Sequence, residues 1–328
     1  MTNSTPILVT GASGFIGQQC VTKLVEQGHA VRAFVLPHEN TSGMFPDAVE
    51  IIRGDISIAE DVQRACHAIS GAIHLAAVVG DAGTDELHQK VTVGGTRLLL
   101  EAAPQEARVV VISSIVYYGT HLQSHTCYES TPPGEAVGVY SRAKQAQERV
   151  AWDKINQGTN VSIVRPANVY GPRSGPWVND ACELLKAGMP ALINGGSGNA
   201  GLVYVDNVVD IILAALQRDE ARGRAYNACD ELDVTWKTYF SELARIVGAP
   251  KPRSIPSWAA KTGANICETI WAKARFKSRP LLTHEALNLI GSDHRIPGKR
   301  ARDELGVRPS VSFTQGMAEV RRYLLSRQ

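Results

Sequence analysis

The glycine-rich stretch at residues 10–17, TGASGFIG, restricts the possible folds of this chain more than any other feature. The apolar run Ile7-Leu8-Val9 precedes it, and apolar residues at helical spacing follow it. Gly11 permits a tight turn, Gly14 allows phosphates to approach the backbone, and Gly17 allows close packing of helix on strand. Strand, glycine turn and helix in this order direct free N–H groups towards a pyrophosphate. A purely structural turn is the alternative, and the strands and helices that follow disfavour it.

The pattern after this turn predicts an α/β fold. Apolar strands that alternate with helices as far as Ala167 are typical of a doubly wound parallel sheet covered on both faces, a Rossmann domain. We expect this domain to span residues 1–167, with 202–228 returning to it, and a smaller, mainly helical substrate-binding domain at 168–201 and 229–328. The predicted later strands are 30–36, 50–52, 72–77, 108–113 and 161–164, and the helices are 60–67, 85–103 and 139–156.

Composition excludes several classes of function. With 328 residues, 44% of them hydrophobic, the chain can bury a large core. The net charge of +2 and the absence of a basic stripe predict no nucleic-acid partner. No run approaches the ~18 apolar residues of a membrane span. A strand begins almost at the N-terminus, which leaves no room for a signal peptide, so we expect a cytoplasmic protein.

Neither the cysteines nor the histidines form a metal-binding pattern. Six scattered cysteines without a CxxC pair indicate free thiols in a reducing compartment. His121 and His125 lie four residues apart in a polar loop, which favours solvated surface. No metal site is predicted.

Tyr140 and Lys144 are candidates for acid–base chemistry. Residues four apart share one helix face, so the phenol and the ammonium would enter the same site. Tyrosine has an unperturbed pKa of about 10, and a neighbouring ammonium lowers that pKa and makes the phenol a usable proton donor or acceptor. A YxxxK pair is also common on solvated helix faces, which is the alternative.

Ser113 and Ser114 end the strand predicted at residues 108–113. Open α/β sheets bind their ligands at the carboxyl ends of their strands, where a hydroxyl could hold a substrate oxygen beside Tyr140. A serine that satisfies backbone groups at a strand end is the alternative.

These motifs together resemble the extended branch of the short-chain dehydrogenase/reductase family, of the NAD-dependent epimerase/dehydratase type. The resemblance covers nearly the whole chain, and the run at 280–309 is similar to the 3β-hydroxysteroid dehydrogenase and dihydroflavonol-reductase-like subgroup. The matching motifs are TGxxGFxG at 10–17, Gly54-Asp55, HxAA at 74–77, SSxxVYG at 113–119, YxxxK at 140–144, RPxNVYGP at 165–172 and a VYVDD-like strand at 203–206.

The resemblance implies a role for each site residue. Tyr140 would be the catalytic acid/base, Lys144 would bind the nicotinamide ribose and tune Tyr140, and Ser114 would polarise the reacting carbonyl. Candidate substrate-binding residues are Tyr118, Asn168 and Trp177, and Met189 and Trp271 are further candidates for an apolar pocket, with the core as their alternative. The implied cofactor-binding residues are Gly11, Ser13, Gly14, Phe15, Ile16, Gly17, Asp55, Ile56, Leu75, Ala76, Ala77, Tyr140, Lys144 and Pro166.

The sequence also departs from the family pattern. Thr92 stands where many members carry an asparagine. Val35 and Leu36 end the second strand, where a carboxylate would favour NAD and an arginine NADP, so either cofactor is possible, with Arg32 or His38 as weak candidates for a 2′-phosphate. Residues 200–202 lack the arginine that clamps a diphosphate in the sugar-nucleotide enzymes of this branch.

We therefore expect an NAD(P)-dependent oxidoreductase that acts on a secondary alcohol or ketone of a mainly apolar small molecule. A sugar-nucleotide epimerase or dehydratase is the alternative, and a non-catalytic dinucleotide sensor is a third reading. Relatives of the extended branch pair through two helices, which correspond to 85–103 and 139–156. We therefore expect a homodimer.

Overall fold

A parallel sheet of seven strands forms the centre of the computed structural model, which describes residues 5–81, 83–274 and 282–327. The strands are β1 (Ile7–Thr10), β2 (Val31–Val35), β3 (Glu50–Arg53), β4 (Gly71–His74), β5 (Arg108–Ile112), β6 (Val161–Pro166), β7 (Asn168–Tyr170), β8 (Pro190–Ile193), β9 (Leu202–Tyr204), β10 (Ala225–Ala228) and β11 (Arg253–Ile255). The central sheet has the order β10-β6-β5-β4-β1-β2-β3, with all neighbours parallel. This confirms the predicted fold class.

Helices cover both faces of this sheet. They are α1 (Phe15–Glu26), α2 (Ala59–Cys66), α3 (Asp85–His88), α4 (Gly95–Ala102), α5 (Val139–Asn156), α6 (Asp180–Lys186), α7 (Val205–Gln217), α8 (Trp236–Val247), α9 (Ser257–Ala274), α10 (His284–Ile290), α11 (Lys299–Leu305) and α12 (Phe313–Leu325). Helices α1 and α7 pack together on one face, and α2, α4 and α5 pack side by side on the other.

Burial on both faces explains why the strands are apolar throughout. Successive side chains of a strand point to opposite faces of the sheet. In β1, Leu8 packs in one cluster with Leu99 of α4, and Val9 packs in the other with Leu24 of α1. All four residues are fully buried. A polar residue at either strand position would be desolvated, which is why no polar alternation appears.

Two predicted helices have instructive bounds. Helix α5 begins and ends at the predicted residues 139 and 156. The helix predicted at 85–103 is interrupted, because a π-helical turn at Gln89–Gly94 joins α3 to α4. Gly95 then packs against Ile56, where an added Cβ would lie 2.8 Å from the isoleucine Cγ1.

Beyond β6, the chain forms two small parallel pairs of strands together with helices α6 and α8 to α12. Strand β9 pairs with β7, and β11 pairs with β8. Helix α7 and strand β10, by contrast, belong to the seven-stranded sheet and its covering layer. Residues 280 and 281 of the C-terminal run lie outside the described residues.

All six cysteines are free thiols in the structure, and five of them are buried. Among residues 5–81, 83–274 and 282–327, none of the helices combines the length and the apolar character that crossing a membrane requires.

Candidate active site

A cavity of about 610 Å³ lies at the carboxyl ends of β1, β4, β5 and β6. Side chains from α5, α6 and α10 complete its walls. The predicted site residues that line it are Gly11, Gly14, Phe15, Ile16, Gly17, Leu75, Ala77, Ser114, Tyr140, Lys144, Pro166, Asn168 and Trp177. Those that do not are Ser13, Asp55, Ile56, Ala76 and Tyr118.

The glycine turn has no room for a side chain at Gly11 or at Gly17. Gly11 has φ +65°, and an added Cβ would lie 2.9 Å from the amide nitrogen of Ala76. At Gly17 an added Cβ would lie 2.2 Å from the carbonyl oxygen of Gly11. Helix α1 begins after Gly14 without a side-chain cap, so its first N–H groups remain available to an anion. This cradle fits the pyrophosphate of a dinucleotide.

Ser114, Tyr140 and Lys144 meet in the cavity. Ser114 and Tyr140 both line the cavity, and the Ser114 hydroxyl lowers the pKa of the Tyr140 phenol as a hydrogen-bonding neighbour. The Lys144 ammonium lies 5.8 Å from the centroid of the Tyr140 ring and donates to the carbonyl oxygen of Ile112 at 2.9 Å and to Oε1 of Gln147 at 2.8 Å. The side chains that the sequence placed on one helix face therefore share one site with the serine that follows β5.

Burial dominates the titration of both residues. It raises the pKa of Tyr140 well above the usual value, the hydrogen bond from Ser114 opposes this shift, and the carboxylates of Glu285 and Asp81 add to it. Burial also lowers the pKa of Lys144 to about 7, against the attraction of Glu148. The sequence predicted that Lys144 lowers the pKa of Tyr140. In the structure burial dominates and raises this pKa, so the phenol stays protonated at neutral pH.

A buried polar network, which the sequence analysis did not find, extends from Lys144 to the turn after β4. Gln147 accepts from Lys144 and donates to Thr96 Oγ1 at 2.9 Å. His74 Nε2 lies 2.9 Å from the same Thr96 oxygen, and His74 Nδ1 lies 2.8 Å from Thr10 Oγ1. Thr10 in turn accepts from the backbone N–H of Ala76 at 3.2 Å. The network thus joins the catalytic candidate to a predicted cofactor-binding turn.

The hydrogen bonds of this network assign the tautomer of His74. Burial lowers the pKa of His74 to about 3, with a smaller contribution from Lys144, so the ring is neutral. Thr96 donates its hydroxyl proton to the carbonyl oxygen of Thr92 at 2.7 Å. Nε2 of His74 must therefore carry the proton that it donates to Thr96, and Nδ1 must accept from Thr10. Every member of the network then has a partner.

Thr92 does not join this network through its side chain. It is fully buried, and its hydroxyl oxygen accepts from the backbone N–H of Val78 at 3.1 Å. The residue that replaces the family asparagine therefore holds the loop after β4.

Tyr118 lies outside the cavity, contrary to the role predicted for it. It is fully buried, donates to Oδ1 of Asn227 at 2.6 Å and accepts from Arg165 at 3.0 Å. Arg165 also forms a buried ion pair with Glu148 at 2.7 Å. The hydroxyl of Tyr118 is fully hydrogen-bonded inside this cluster, so the residue does not contact the cavity.

Of the other substrate candidates, Asn168 and Trp177 line the cavity. Asn168 donates to the carbonyl oxygen of Ala200 at 2.7 Å, and the ring of Trp177 lies 5.2 Å from that of Trp236. Met189 is 48% exposed and Trp271 does not line the cavity.

Asp55 follows β3, at the edge of the sheet beyond β2. Its Oδ1 accepts from the backbone N–H and the hydroxyl of Ser57, both at 2.8 Å, and Ile56 is buried. Two strands separate this position from β4, whose end borders the cavity.

A carboxylate that the sequence analysis missed lies beside the glycine turn. Glu39 accepts from the Ser13 hydroxyl at 2.6 Å and from the backbone N–H of Leu36 at 3.1 Å. Arg32 lies at the other end of β2, where it pairs with Glu50 at 2.8 Å, so it cannot serve a 2′-phosphate at the carboxyl end. The signal in the sequence was a glutamate four residues after the last residue of β2.

No group of three or more His, Cys, Asp or Glu side chains within the described ranges is placed to hold a metal ion. The rings of His121 and His125 lie 4.5 Å apart, away from the cavity.

Comparison with known proteins identifies the family. Residues 7–229 match the model of the NAD dependent epimerase/dehydratase family. The chain belongs to this family. The resemblance found in the motifs is thereby confirmed, and the protein is an NAD(P)-dependent enzyme of the extended short-chain dehydrogenase/reductase type.

Curated relatives of this epimerase/dehydratase chain match it along nearly its whole length. It is 27% identical to the 2-alkyl-3-oxoalkanoate reductase of Stenotrophomonas maltophilia, over 96% of this chain and 98% of the relative. It is 26% identical to the decarboxylating sterol-4-alpha-carboxylate 3-dehydrogenase of Mus musculus, over 94% of this chain and 88% of the relative. The crystal structure of the UDP-glucose 4-epimerase of Thermotoga maritima has the same fold, with a TM-score of 0.76, 22% identity and coverage of 98% and 99%.

Proposed function

We propose that this oxidoreductase interconverts a secondary alcohol and a ketone of a mainly apolar substrate. The observation that carries the proposal is that Ser114, Tyr140 and Lys144 line one cavity with mostly apolar walls. Similarity to a 3-oxoalkanoate reductase and to a sterol dehydrogenase supports the same class of reaction.

The protein's own residues would handle the proton and the orientation of substrate. Ser114 would donate a hydrogen bond to the carbonyl oxygen, and Tyr140, which is protonated at neutral pH, would transfer its proton to that oxygen. A nicotinamide cofactor, when bound, supplies or accepts the hydride. Lys144 would bind ribose hydroxyls, and Gln147 would hold its ammonium in place. The glycine turn would hold the pyrophosphate.

The charges of the cavity disfavour a sugar nucleotide. Lys144 is the basic residue among the described lining residues, and it is already bonded to Ile112 and Gln147. Three carboxylates, on Asp81, Asp180 and Glu285, line the same cavity. A buried diphosphate without a cationic partner is strongly disfavoured. A nucleoside-diphosphate-sugar epimerase or dehydratase therefore remains the second candidate, favoured by Asn168, which lines the cavity and matches the asparagine of the RPxNVYGP motif.

The proposal is tested by exchanging Tyr140 for phenylalanine. Because Tyr140→Phe keeps the ring and loses the proton, we expect ketone reduction to fall by about 10²–10⁴-fold while NADH binding is retained. Tyr128→Phe, at a tyrosine that is 53% exposed, is the matched control and should keep full activity.

A substrate screen tests the ranking of the two functions. Hydroxysteroids, dihydroflavonols and 3-oxo compounds are screened beside UDP- and dTDP-sugars. Turnover of a UDP-sugar with every apolar ketone inert would reverse the ranking of the two functions.

We also propose the division of labour, assembly and location expected from the sequence. Residues 168–201 and 229–328 would form the substrate-binding part, since α6 and α10 contribute to the cavity walls. The chain would form a homodimer through the helices at 85–103 and 139–156. A cytoplasmic location is supported by the six unpaired cysteines.

A further inference from the structure

Glu285 of helix α10 is a buried carboxylate in the wall of the cavity. The residue is 3% exposed and lines the cavity beside the N-terminus of α5. Its Oε2 atom accepts from the backbone N–H of Ser141 at 3.2 Å and lies 2.9 Å from the Ser141 hydroxyl oxygen. Its Oε1 atom is buried and has no hydrogen-bond partner. Buried acceptors without a partner are uncommon and costly, so this oxygen is available to a ligand.

The surroundings of Glu285 are negative. Asp81, on the loop after β4, accepts a hydrogen bond from Thr283 and raises the pKa of Glu285 electrostatically. Burial is the larger cause of this shift, and together they bring the pKa to about 7, against the hydrogen bonds from Ser141 and the attraction of Arg142. Arg142 itself is paired with Asp85 at 3.0 Å. A ligand group near Oε1 therefore meets an acceptor in a negative field.

Glu285 also lies close to the reacting groups. Ser141, which holds Oε2, directly follows Tyr140 in α5, and both Glu285 and Asp81 act electrostatically on the Tyr140 phenol. A ligand atom bonded to Oε1 would therefore lie near the oxygen that Tyr140 protonates.

We propose that the cavity recognises a hydrogen-bond donor of the substrate, a hydroxyl or a protonated amine near the reacting carbon, with Glu285 Oε1 as the acceptor. This inference rests on the proposed function, because Tyr140 marks the reacting carbon. A carboxylate or phosphate at this position would be repelled by Glu285 and Asp81. The substrate would thus be mainly apolar, with one donor group at the end that reacts.

The test uses three ketones that share one carbon skeleton: an α-hydroxy ketone, the matching α-amino ketone, and the ketone that lacks both groups. Reduction is followed with NADH at pH 8, where the carboxylate form of Glu285 predominates. Binding of the same ketones to protein saturated with oxidised NAD is measured by calorimetry, because oxidised NAD has no hydride to give to the carbonyl; the hydroxyl is placed on a tertiary carbon, which has no hydride to lose. We expect the hydroxy or the amino ketone to be preferred over the ketone that lacks both groups by about tenfold or more, both in binding and in kcat/KM.

Glu285→Gln should abolish or invert this preference. The Ser141 N–H requires an acceptor, so the amide oxygen takes the place of Oε2 and the NH2 group takes that of Oε1, which replaces an acceptor by a donor. Glu268→Gln is the matched control. Glu268 of α9 accepts from the backbone N–H of His284, the first residue of α10, at 2.8 Å and does not line the cavity. This variant should keep the preference.

The two readouts separate this inference from the proposed function. If no ketone is reduced, the proposed function is wrong, while the binding preference and its loss in Glu285→Gln still support the inference. Equal binding of the three ketones to the wild-type protein, or an unchanged preference in Glu285→Gln, would overturn the inference even if ketones are reduced.

Discussion

At the scale of single residues, Gln147 is the group that holds the ammonium of Lys144. Its Oε1 accepts from Lys144, and its Nε2 donates to Thr96, so each end of the amide has a different role. Because burial already lowers the pKa of Lys144 to about 7, removal of this acceptor further disfavours the charged form. We therefore propose that Gln147 is a positioning residue that acts through Lys144.

We expect opposite effects from two substitutions of Gln147. In Gln147→Leu the ammonium loses an acceptor, so the pKa of Lys144 falls further below about 7. In Gln147→Glu an added carboxylate favours the ammonium, so this pKa rises. The pH profile of kcat/KM reports the free enzyme, and its Lys144 limb should shift to lower pH in the first variant and higher pH in the second. A shift of both profiles in one direction would contradict this role.

Glu39 is predicted to select NAD over NADP. Its carboxylate lies beside Ser13 of the glycine turn and would repel a 2′-phosphate near the end of β2. The nearby Arg53 donates to the carbonyl oxygen of Glu39 at 2.8 Å and to Thr41 at 2.9 Å, so its guanidinium is already engaged. Fluorescence titration should give tighter binding of NADH than of NADPH, and Glu39→Gln should reduce the difference. Tighter binding of NADPH to the wild-type protein would exclude this role.

At the scale of elements, the contact between the glycine turn and α1 sets the position of the helix N-terminus. A Cβ at Gly17 would lie 2.2 Å from the Gly11 carbonyl oxygen and 2.9 Å from the Ala12 Cα, and backbone atoms cannot move aside as a flexible side chain can. Helix α1 must therefore shift if this residue acquires a side chain.

We expect Gly17→Ala to lower the free energy of unfolding by about 1–3 kcal/mol, as overpacking does, and to weaken NADH binding. Gly28→Ala is the control, since Gly28 follows the same helix with φ +82° and an added Cβ there meets no atom within 4 Å. This control should cost about 1–2 kcal/mol from backbone strain alone and leave NADH binding unchanged. Denaturant unfolding and fluorescence titration separate the two effects, and unaltered NADH binding in Gly17→Ala would refute the role of this contact.

At the scale of the whole molecule, the two helices proposed to pair offer a partly polar surface to a second copy. Of the three consecutive leucines at 98–100, Leu99 and Leu100 are buried within the chain, and Leu98 is partly buried. On α5, Arg142 and Arg149 are exposed.

We therefore expect a homodimer whose association weakens with salt, since screening reduces interactions between exposed charges. Light scattering at micromolar concentration should give twice the chain mass at low ionic strength and a smaller average mass at 1 M salt. A monomer mass at low ionic strength would rule out the proposed dimer, and a dimer mass that does not respond to salt would rule out a polar interface.

The sequence by itself determined the elements and their chemistry wherever the physics is local. Strand β1, the glycine turn and α1 follow from contacts between near neighbours, and α5 has the bounds predicted from the sequence. The shared helix face of Tyr140 and Lys144 is likewise a property of one helix. Fold class and family were therefore predictable before any tertiary contact was known.

Only the tertiary structure decided which distant residues complete the site. Glu285 reaches Ser141 across 144 positions, and the network from Lys144 reaches Thr10 through residues of four elements. Tyr118 was predicted to bind substrate but lies in the core, where its hydroxyl is hydrogen-bonded to Arg165 and Asn227. Such contacts depend on how strands and helices pack, and periodicity along the chain carries no information about which buried polar groups will meet.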